Sequence, residues 1–368
     1  MSALKRDSLL AAANGHLAVA LRDHVKAHAE DRPGVYRMVG PGGDIVYIGK
    51  SIKLRTRLLS YFRADRTEKA TEVISAARRV EWEYVPSEFA ALLHELRMIQ
   101  RHRPLFNVHH KLDDGTYCFI RVTREDAPRV LISTQVLDDG STYYGPYRGR
   151  QMVRNLVKEV CDLLQLRDCP PSTPLRYADQ IDLFNFDATP RCVRADLMKC
   201  LAPCAGRCTR FEYHDRVREA KRFLEGDFNQ PLQLLHERMA QAAERMQFEY
   251  AALLRDRAYR LEGARAELTE LRGTIDSLSF VYTVPGHRGD DRVYIIRRGS
   301  IRAELPLPRS AAEEVQLLKT AAKVFSRRER GPATVDPNTV GEILLISRWF
   351  RMRPDELSRT VAPETLVS

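Results

Sequence analysis

The sequence has no uninterrupted apolar run near the roughly 18 residues that a membrane-spanning helix requires, so no such helix is expected in its 368 residues. Nor do the first thirty residues make an export signal. Leu9 to Ala13 and Leu17 to Leu21 are apolar, but Asn14 and His16 interrupt them and Arg22 and Asp23 follow. An amphipathic helix in a cytoplasmic protein is expected instead. Internal repeats and low-complexity tracts are also lacking. The 44% of hydrophobic and 29% of charged residues exclude wholesale disorder and suffice for two or three cores. An acidic excess is missing as well: 59 Lys and Arg stand against 49 Asp and Glu, a formal charge of +10, so the surface should attract polyanions, nucleic acid first. Many basic proteins bind no nucleic acid, so the placement of particular side chains has to carry the rest. Cysteine is scarce outside one stretch. Cys118 and Cys161 stand apart, whereas Cys169, Cys192, Cys200, Cys204 and Cys208 fall within forty residues, which in a reducing compartment points to metal before disulfides.

Residues 33–48 are two β-branched and aromatic runs around Pro41-Gly42-Gly43-Asp44, the chemistry of a hairpin with a four-residue loop. Residues 51–63 carry Leu54, Leu58 and Phe62 at helical spacing. Residues 87–101 repeat that pattern with Phe89, Leu92, Leu93, Leu96 and Ile99 behind Ser87 as N-cap, and Val80 to Val85 supplies a third strand. A small mixed α/β domain is expected to end near His110, its last helix stopped at Arg103-Pro104. Tyr117 to Thr123 and Arg129 to Gln135 are strand-like, and a helix spans about 150 to 165. Residues 229–270 read as one long amphipathic helical segment with a break near its middle. Met239, Ala242, Ala243, Met246, Tyr250, Leu254, Ala258 and Leu261 form its apolar stripe, as in a helical hairpin or coiled-coil module. Gly273 closes it, and 278–306 return to strand pattern around a polar turn, His287 to Asp291, before a final helical stretch.

With 41–44 as the loop, facing residues have numbers that sum to 85, which pairs Met38 with Tyr47 and sets Tyr36 diagonally beside Tyr47. Two phenols then share one face. Gly49 is read as letting the backbone turn and Lys50 as opening the next helix, where Lys50, Arg57 and Tyr61, seven and four apart, project to one side. Glu95 borders the apolar stripe of the helix after the third strand, so its carboxylate is expected to be partly desolvated and to need a cation, either Arg or Lys or a divalent metal. Singly, such tyrosines, cations and carboxylates usually serve packing or solvation. Together they suit phosphodiester cleavage, which needs a base for water, cations around the phosphorane charge and a metal for the leaving oxygen.

In order and spacing, Gly34-Val35-Tyr36, Val46-Tyr47-Ile48-Gly49-Lys50, Arg57, Tyr61, Glu95 and Asn107 resemble the GIY-YIG nuclease domain, in the form found in UvrC, the nuclease subunit of bacterial nucleotide excision repair. The resemblance implies that Tyr36 and Tyr47 face the scissile phosphate, that Arg57 and Tyr61 contact it, that Glu95 holds a single Mg2+ or Mn2+, and that Asn107 closes the site. Lys50 corresponds to the family's lysine after the second motif. Tyr47 would be the general base, with Lys50 and metal-bound water expected to lower its pKa from the usual phenol value near ~10.

The stretches around Leu166-Arg167-Asp168-Cys169, Arg191-Cys192 and Lys199-Cys200-Leu201-Ala202-Pro203-Cys204 resemble the UvrC cysteine motif. The implied cofactor is a [4Fe–4S] cluster on Cys169, Cys192, Cys200 and Cys204, with tetrahedral zinc as the alternative for four thiolates and Cys208 outside the set. Glu237 to Asp256, with Phe248-Glu249-Tyr250-Ala251-Ala252-Leu253-Leu254-Arg255-Asp256, resembles the UVR motif shared by UvrB and UvrC, which implies UvrB as partner. The alternative is an intramolecular coiled coil.

The expected fold class is α+β, in five parts: an N-terminal helix over 1–29, a GIY-YIG domain over 30–112, a linker and cysteine region over 113–225, a UVR module over 226–272 and an unassigned α/β region over 273–368. UvrC continues with an RNase H-like nuclease domain and helix-hairpin-helix repeats, for which 274–368 are too few. The resemblance thus implies a shortened nuclease, like the Cho-type homologues, that makes one nick in damaged double-stranded DNA after UvrA and UvrB have acted. A UvrB-independent structure-specific nuclease and a non-catalytic UvrB-binding adaptor are the alternatives. Arg148 and Arg150 are candidates for backbone phosphate contacts.

Overall fold

Apolar alternation near the start of the chain builds the sheet on which the candidate site rests. The computed structural model describes residues 3–63, 67–107, 117–180, 192–326 and 334–367. The expected domain end near His110, and Arg191 beside Cys192, lie outside them. The chain divides into two units: one of Met1–Leu112, Leu278–Arg328 and Gly341–Ser368, the other of Asp113–Ser277 and Glu329–Val340. Among the described residues no helix is long and apolar enough to cross a membrane.

The first unit begins with α1 (Ala3–His28), β1 (Gly34–Val39), β2 (Ile45–Ser51), α2 (Leu54–Ser60), α3 (Glu68–Ala76), β3 (Arg79–Tyr84) and α4 (Glu88–His102). Its antiparallel sheet runs β2-β1-β3, so β2 is an edge strand. Met38 faces Tyr47 and Tyr36 faces Gly49, the predicted pairing, with a register shift between Met38 and Val39. Alternation along β1 separates two sets of side chains. Val35 and Ile48 meet Ala91 of α4, whereas Tyr36 and Met38 join Leu54, Leu58 and Val73 and the buried Leu21 and Val25 of α1. Ser87 caps α4 by accepting from the Ala90 N–H, and Arg103 adopts a left-handed φ of 45° just before Pro104.

Two expectations need correction here. Lys50 lies on β2 and not at the start of a helix, because α2 begins only at Leu54, and Gly49 is an extended strand residue paired with Tyr36 and not a turn. The helix α3, capped by Thr67, was not anticipated. Its buried residues are Val73 and Ile74 alone, too few to show a period.

The second unit contains β4 (Tyr117–Val122), β5 (Val130–Ser133), β6 (Thr142–Arg148), α5 (Arg150–Leu163), α6 (Val193–Asp196), α7 (Arg210–Glu225), α8 (Asn229–Glu244) and α9 (Phe248–Asp276). A sheet ordered β5-β4-β6 shares one core with α5, α7 and α9, through Ile120, Tyr144, Leu156, Phe223, Leu254 and Leu261 among others. The long helical segment is a hairpin. It breaks where Met246 takes a left-handed φ of 57°. Met246 and Tyr250, read from the period as part of the apolar stripe, are exposed, because the turn carries them past the end of the packed face.

The chain then re-enters the first unit with β7 (Phe280–Val284), β8 (Arg292–Arg297), β9 (Ser300–Pro306), α10 (Ala311–Ser326), α11 (Val340–Met352), β10 (Thr360–Val361) and α12 (Pro363–Val367), its antiparallel sheet ordered β10-β7-β8-β9. This region does not have a core of its own alone. Phe89, Leu93 and Leu96 of α4 are buried against Phe280, Tyr282, Tyr294, Ile346 and Trp349. The Phe89 ring centroid is 5.2, 4.9 and 5.2 Å from those of Tyr282, Tyr294 and Trp349, separations at which tilted and edge-to-face aromatic pairs are favourable. The apolar stripe of α4 is therefore covered from two sides.

Candidate active site

An edge strand exposes backbone N–H and C=O groups that need partners when buried. On β2 those partners are predicted site residues. The buried Asn107 side chain acts as a substitute strand: its Oδ1 accepts from the Ile48 N–H at 2.7 Å and its Nδ2 donates to the Ile48 C=O at 2.8 Å. Two positions on, the Lys50 N–H donates to the Glu95 carboxylate. Asn107 thus holds β2 beside Tyr47 and spends both polar ends of its side chain on backbone, so it is a positioning residue. Glu95 is anchored at the same edge.

On the opposite face of β1 and β2, Tyr36, Tyr47 and Tyr61 form a triangle with ring centroids 6.2, 5.9 and 6.2 Å apart. The Tyr36 and Tyr61 hydroxyls are 2.9 Å apart, Tyr61 also bonds Tyr47, and the Arg57 guanidinium bonds Tyr36. The hydroxyls therefore form a chain with a cation at one end. Arg57 also lies against the Tyr61 ring, 5.3 Å from its centroid. Gly49 makes this arrangement possible, since a Cβ there would stand 2.5 Å from Cζ and the hydroxyl of Tyr36.

In the metal-free chain the groups around Tyr47 favour its protonated form. Burial raises its pKa above that of a free phenol; charge on Tyr61 and Glu95 pushes the same way, and only Arg57 opposes. Lys50 does not act as expected, because its ammonium is turned to Glu88 at 3.0 Å. The protein's own residues thus keep Tyr47 protonated at neutral pH. Burial likewise raises Tyr36 and Tyr61. Burial also pushes Glu95 up to about 7, with Lys50 and Arg57 lowering it only in part. A desolvated carboxylate short of positive charge is a donor that suits a hard divalent cation.

Tyr47, Arg57, Ser60, Tyr61, Arg63, Thr67 and Lys69 line a cavity of 280 Å3 together with Ala70 and Val73. Lys69 Nζ sits 5.4 Å from the Tyr47 ring centroid. The sequence reading missed Lys69 because it missed α3, and missed Glu88 because a carboxylate after an N-cap ordinarily serves the helix. Arg57, Arg63 and Lys69 make the cavity electropositive, suited to a phosphodiester.

In the second unit, the predicted ligands Cys169, Cys192, Cys200 and Cys204 are close enough to perturb one another. Burial raises the Cys200 thiol to about 11, with further upward pushes from Cys192, Cys204 and Cys169. Burial raises Cys204 as well, and raises Cys208 to about 12. Arg167 Nη1 donates to Cys169 Sγ at 3.6 Å. Even so, among the described residues no group of three or more His, Cys, Asp or Glu side chains is set to hold a metal ion, so the arrangement does not support the expected cluster or its zinc alternative.

Residues 32–108 match the UvrC-like GIY-YIG domain, and residues 117–223 match the middle domain of the UvrC/Cho excinuclease. The UvrABC system protein C of Dehalococcoides mccartyi (strain CBDB1) is 30% identical over 336 residues, 89% of this chain and 53% of that protein. That of Moorella thermoacetica is 37% identical over 231 residues, 62% of this chain and 36% of that protein. The chain spans about half the length of the first of these relatives. Among solved structures, the GIY-YIG N-terminal endonuclease domain of UvrC from Thermotoga maritima bound to magnesium is 33% identical, covers 24% of this chain and 96% of that domain, and has a TM-score of 0.23.

Proposed function

We propose, from the chain's membership of the UvrC-like GIY-YIG endonuclease family, that it makes a single metal-dependent phosphodiester incision in damaged double-stranded DNA during UvrB-dependent nucleotide excision repair. The observation that carries this reading is the meeting of Tyr47, Arg57 and Tyr61 around one electropositive cavity, with the buried Tyr36 hydroxyl 2.9 Å behind that of Tyr61 and Glu95 close enough to act on Tyr47. Arg57 and Lys69 bind the phosphate and offset charge that gathers on it. Tyr61 and Tyr36 order the hydroxyl chain, and Tyr47 donates a hydrogen bond that orients the attacking oxygen. Glu95 would hold Mg2+ or Mn2+, which supplies Lewis-acid stabilisation of the leaving oxygen and a more acidic water.

UvrB recognition is assigned to the α8–α9 hairpin. Met246, Phe248, Tyr250 and Leu253 around its turn are 77%, 67%, 45% and 46% exposed, more apolar surface than an intramolecular coiled coil leaves uncovered. Lesion-bearing DNA should be nicked with Mg2+ present and more efficiently after UvrA and UvrB are added, and Phe248→Glu should remove that stimulation while leaving unassisted nicking in place. Nicking that ignores UvrB would favour the structure-specific nuclease, and UvrB binding without any nicking would favour the adaptor.

A [4Fe–4S] centre on Cys169, Cys192, Cys200 and Cys204 is proposed from the resemblance of these cysteines to the UvrC motif and not from their geometry, since no preformed metal-holding group stands among the described residues. Anaerobically purified protein should then be brown and carry iron. Colourless, metal-free protein would remove the assignment, and stoichiometric zinc would replace it.

A further inference from the structure

The C-terminal part of the first unit reaches the candidate site through one carboxylate. Glu88, the first residue of α4, accepts from Lys50 Nζ on Oε1 at 3.0 Å and from Arg353 Nη2 on Oε2 at 2.9 Å. Arg353 follows α11 and is fixed at both ends: its backbone N–H donates to the Trp349 carbonyl, and its guanidinium carbon stands 4.0 Å from the Trp349 ring centroid. Trp349 is itself buried and donates from Nε1 to the Tyr282 hydroxyl at 3.0 Å, so the arginine rests on a rigid aromatic base. Residue 353 lies beyond both matched domains.

We infer that Arg353 is a positioning residue of the nuclease, which by sharing Glu88 leaves Lys50 with net positive charge to present to the DNA phosphate. Two cations on one carboxylate give the group a charge of +1, whereas Lys50 and Glu88 alone form a neutral pair. Burial opposes ionisation of Glu88, yet Lys50 and Arg353 hold its carboxyl below the usual range, so it stays an anion that one cation or the other must neutralise. The side chains of Lys50, Glu88 and Arg353 are 25%, 29% and 38% exposed, enough for solvent to weaken the interaction without erasing it. The inference rests on the nuclease reading of the site.

Single-turnover nicking by the full chain tests it. Arg353→Gln should slow incision about tenfold, Arg353→Lys should stay within about threefold of the parent, and adding Glu88→Gln to Arg353→Gln should recover at least about fivefold, since Lys50 then faces no carboxylate. An arginine that merely braces the fold would not be rescued by a second change at Glu88. Wild-type rates in Arg353→Gln, or a double variant as slow as the single one, would overturn the inference. Trace acetylation of Lys50, read by mass spectrometry, needs no nuclease activity and so separates this inference from the reading beneath it. Arg353→Gln should label at least about threefold more slowly than the parent, and the double variant should recover. Unchanged labelling would also overturn it.

Discussion

Glu95→Gln should abolish metal-dependent nicking, by about a thousandfold or more, and at the same time make the metal-free protein more stable above pH 7. The first effect follows from losing the carboxylate proposed to hold the cation, the second from why that carboxylate suits one. Burial holds the Glu95 carboxyl at about 7, against 4.5 when free, so between those values the folded chain binds more protons than the unfolded chain. Stability due to this group is therefore full below about 4.5 and falls as pH rises toward 7. A neutral glutamine loses nothing in that window, and at pH 8 the variant should be more stable by up to about 3 kcal/mol. Thermal melts at pH 5 and pH 8 without metal should show a gap that opens with pH, and Mg2+ should raise the melting temperature of the parent alone. In the parent, protons compete with the cation at Glu95, so nicking should weaken as pH falls through about 7. Retained nicking by the variant would remove the metal role, and melting curves that coincide at both pH values would remove the desolvation argument.

Gly49→Ala should cost about 100-fold in nicking and about 1–3 kcal/mol in stability, although it adds one methyl group. The new Cβ would lie 2.5 Å from the Tyr36 ring and hydroxyl, and Tyr36 is buried and bonded to Tyr61 and Arg57, so it has no free rotamer to retreat to. Either the ring tilts and breaks the hydroxyl chain or β2 moves away from β1. A glycine in open helical surroundings provides the contrast: no atom lies within 4 Å of a Cβ built at Gly273, and Gly273→Ala in α9 should raise stability by about 0.5–1 kcal/mol. Urea titrations of the two variants, with nicking assays of the first, check both signs. Normal nicking by Gly49→Ala would show that Tyr36 need not stay where the glycine allows it.

The hairpin register was legible in the sequence because alternation with period two and a short Pro-Gly-Gly-Asp loop admit one pairing, and that pairing sets Tyr36 and Tyr47 side by side. The start and stop of α4 were legible for local reasons, a serine cap at Ser87 and the proline at 104 that ends the helix. The nature of Gly49 was not. The register sets Tyr36 opposite it, yet an isolated glycine is most simply read as a turn, and no local pattern says that the Tyr36 ring fills the space a Cβ would need. The state of Tyr47 was also out of reach, since a lysine three residues away suggests a lowered pKa only until Glu88 is seen to hold that lysine.

Sequence by itself determined which chemistry is present: the two tyrosine motifs, the arginine and tyrosine on the next helix, the lone glutamate and their order along the chain, all consequences of short-range periodicity and residue type. Tertiary structure alone decided what each of them faces. It set Glu95 and Asn107 on the open edge of β2, covered the second side of α4 with the C-terminal sheet, and brought Arg353 to Glu88 across 265 positions. Desolvation and charge pairing depend on distance through space, and no local pattern encodes that distance.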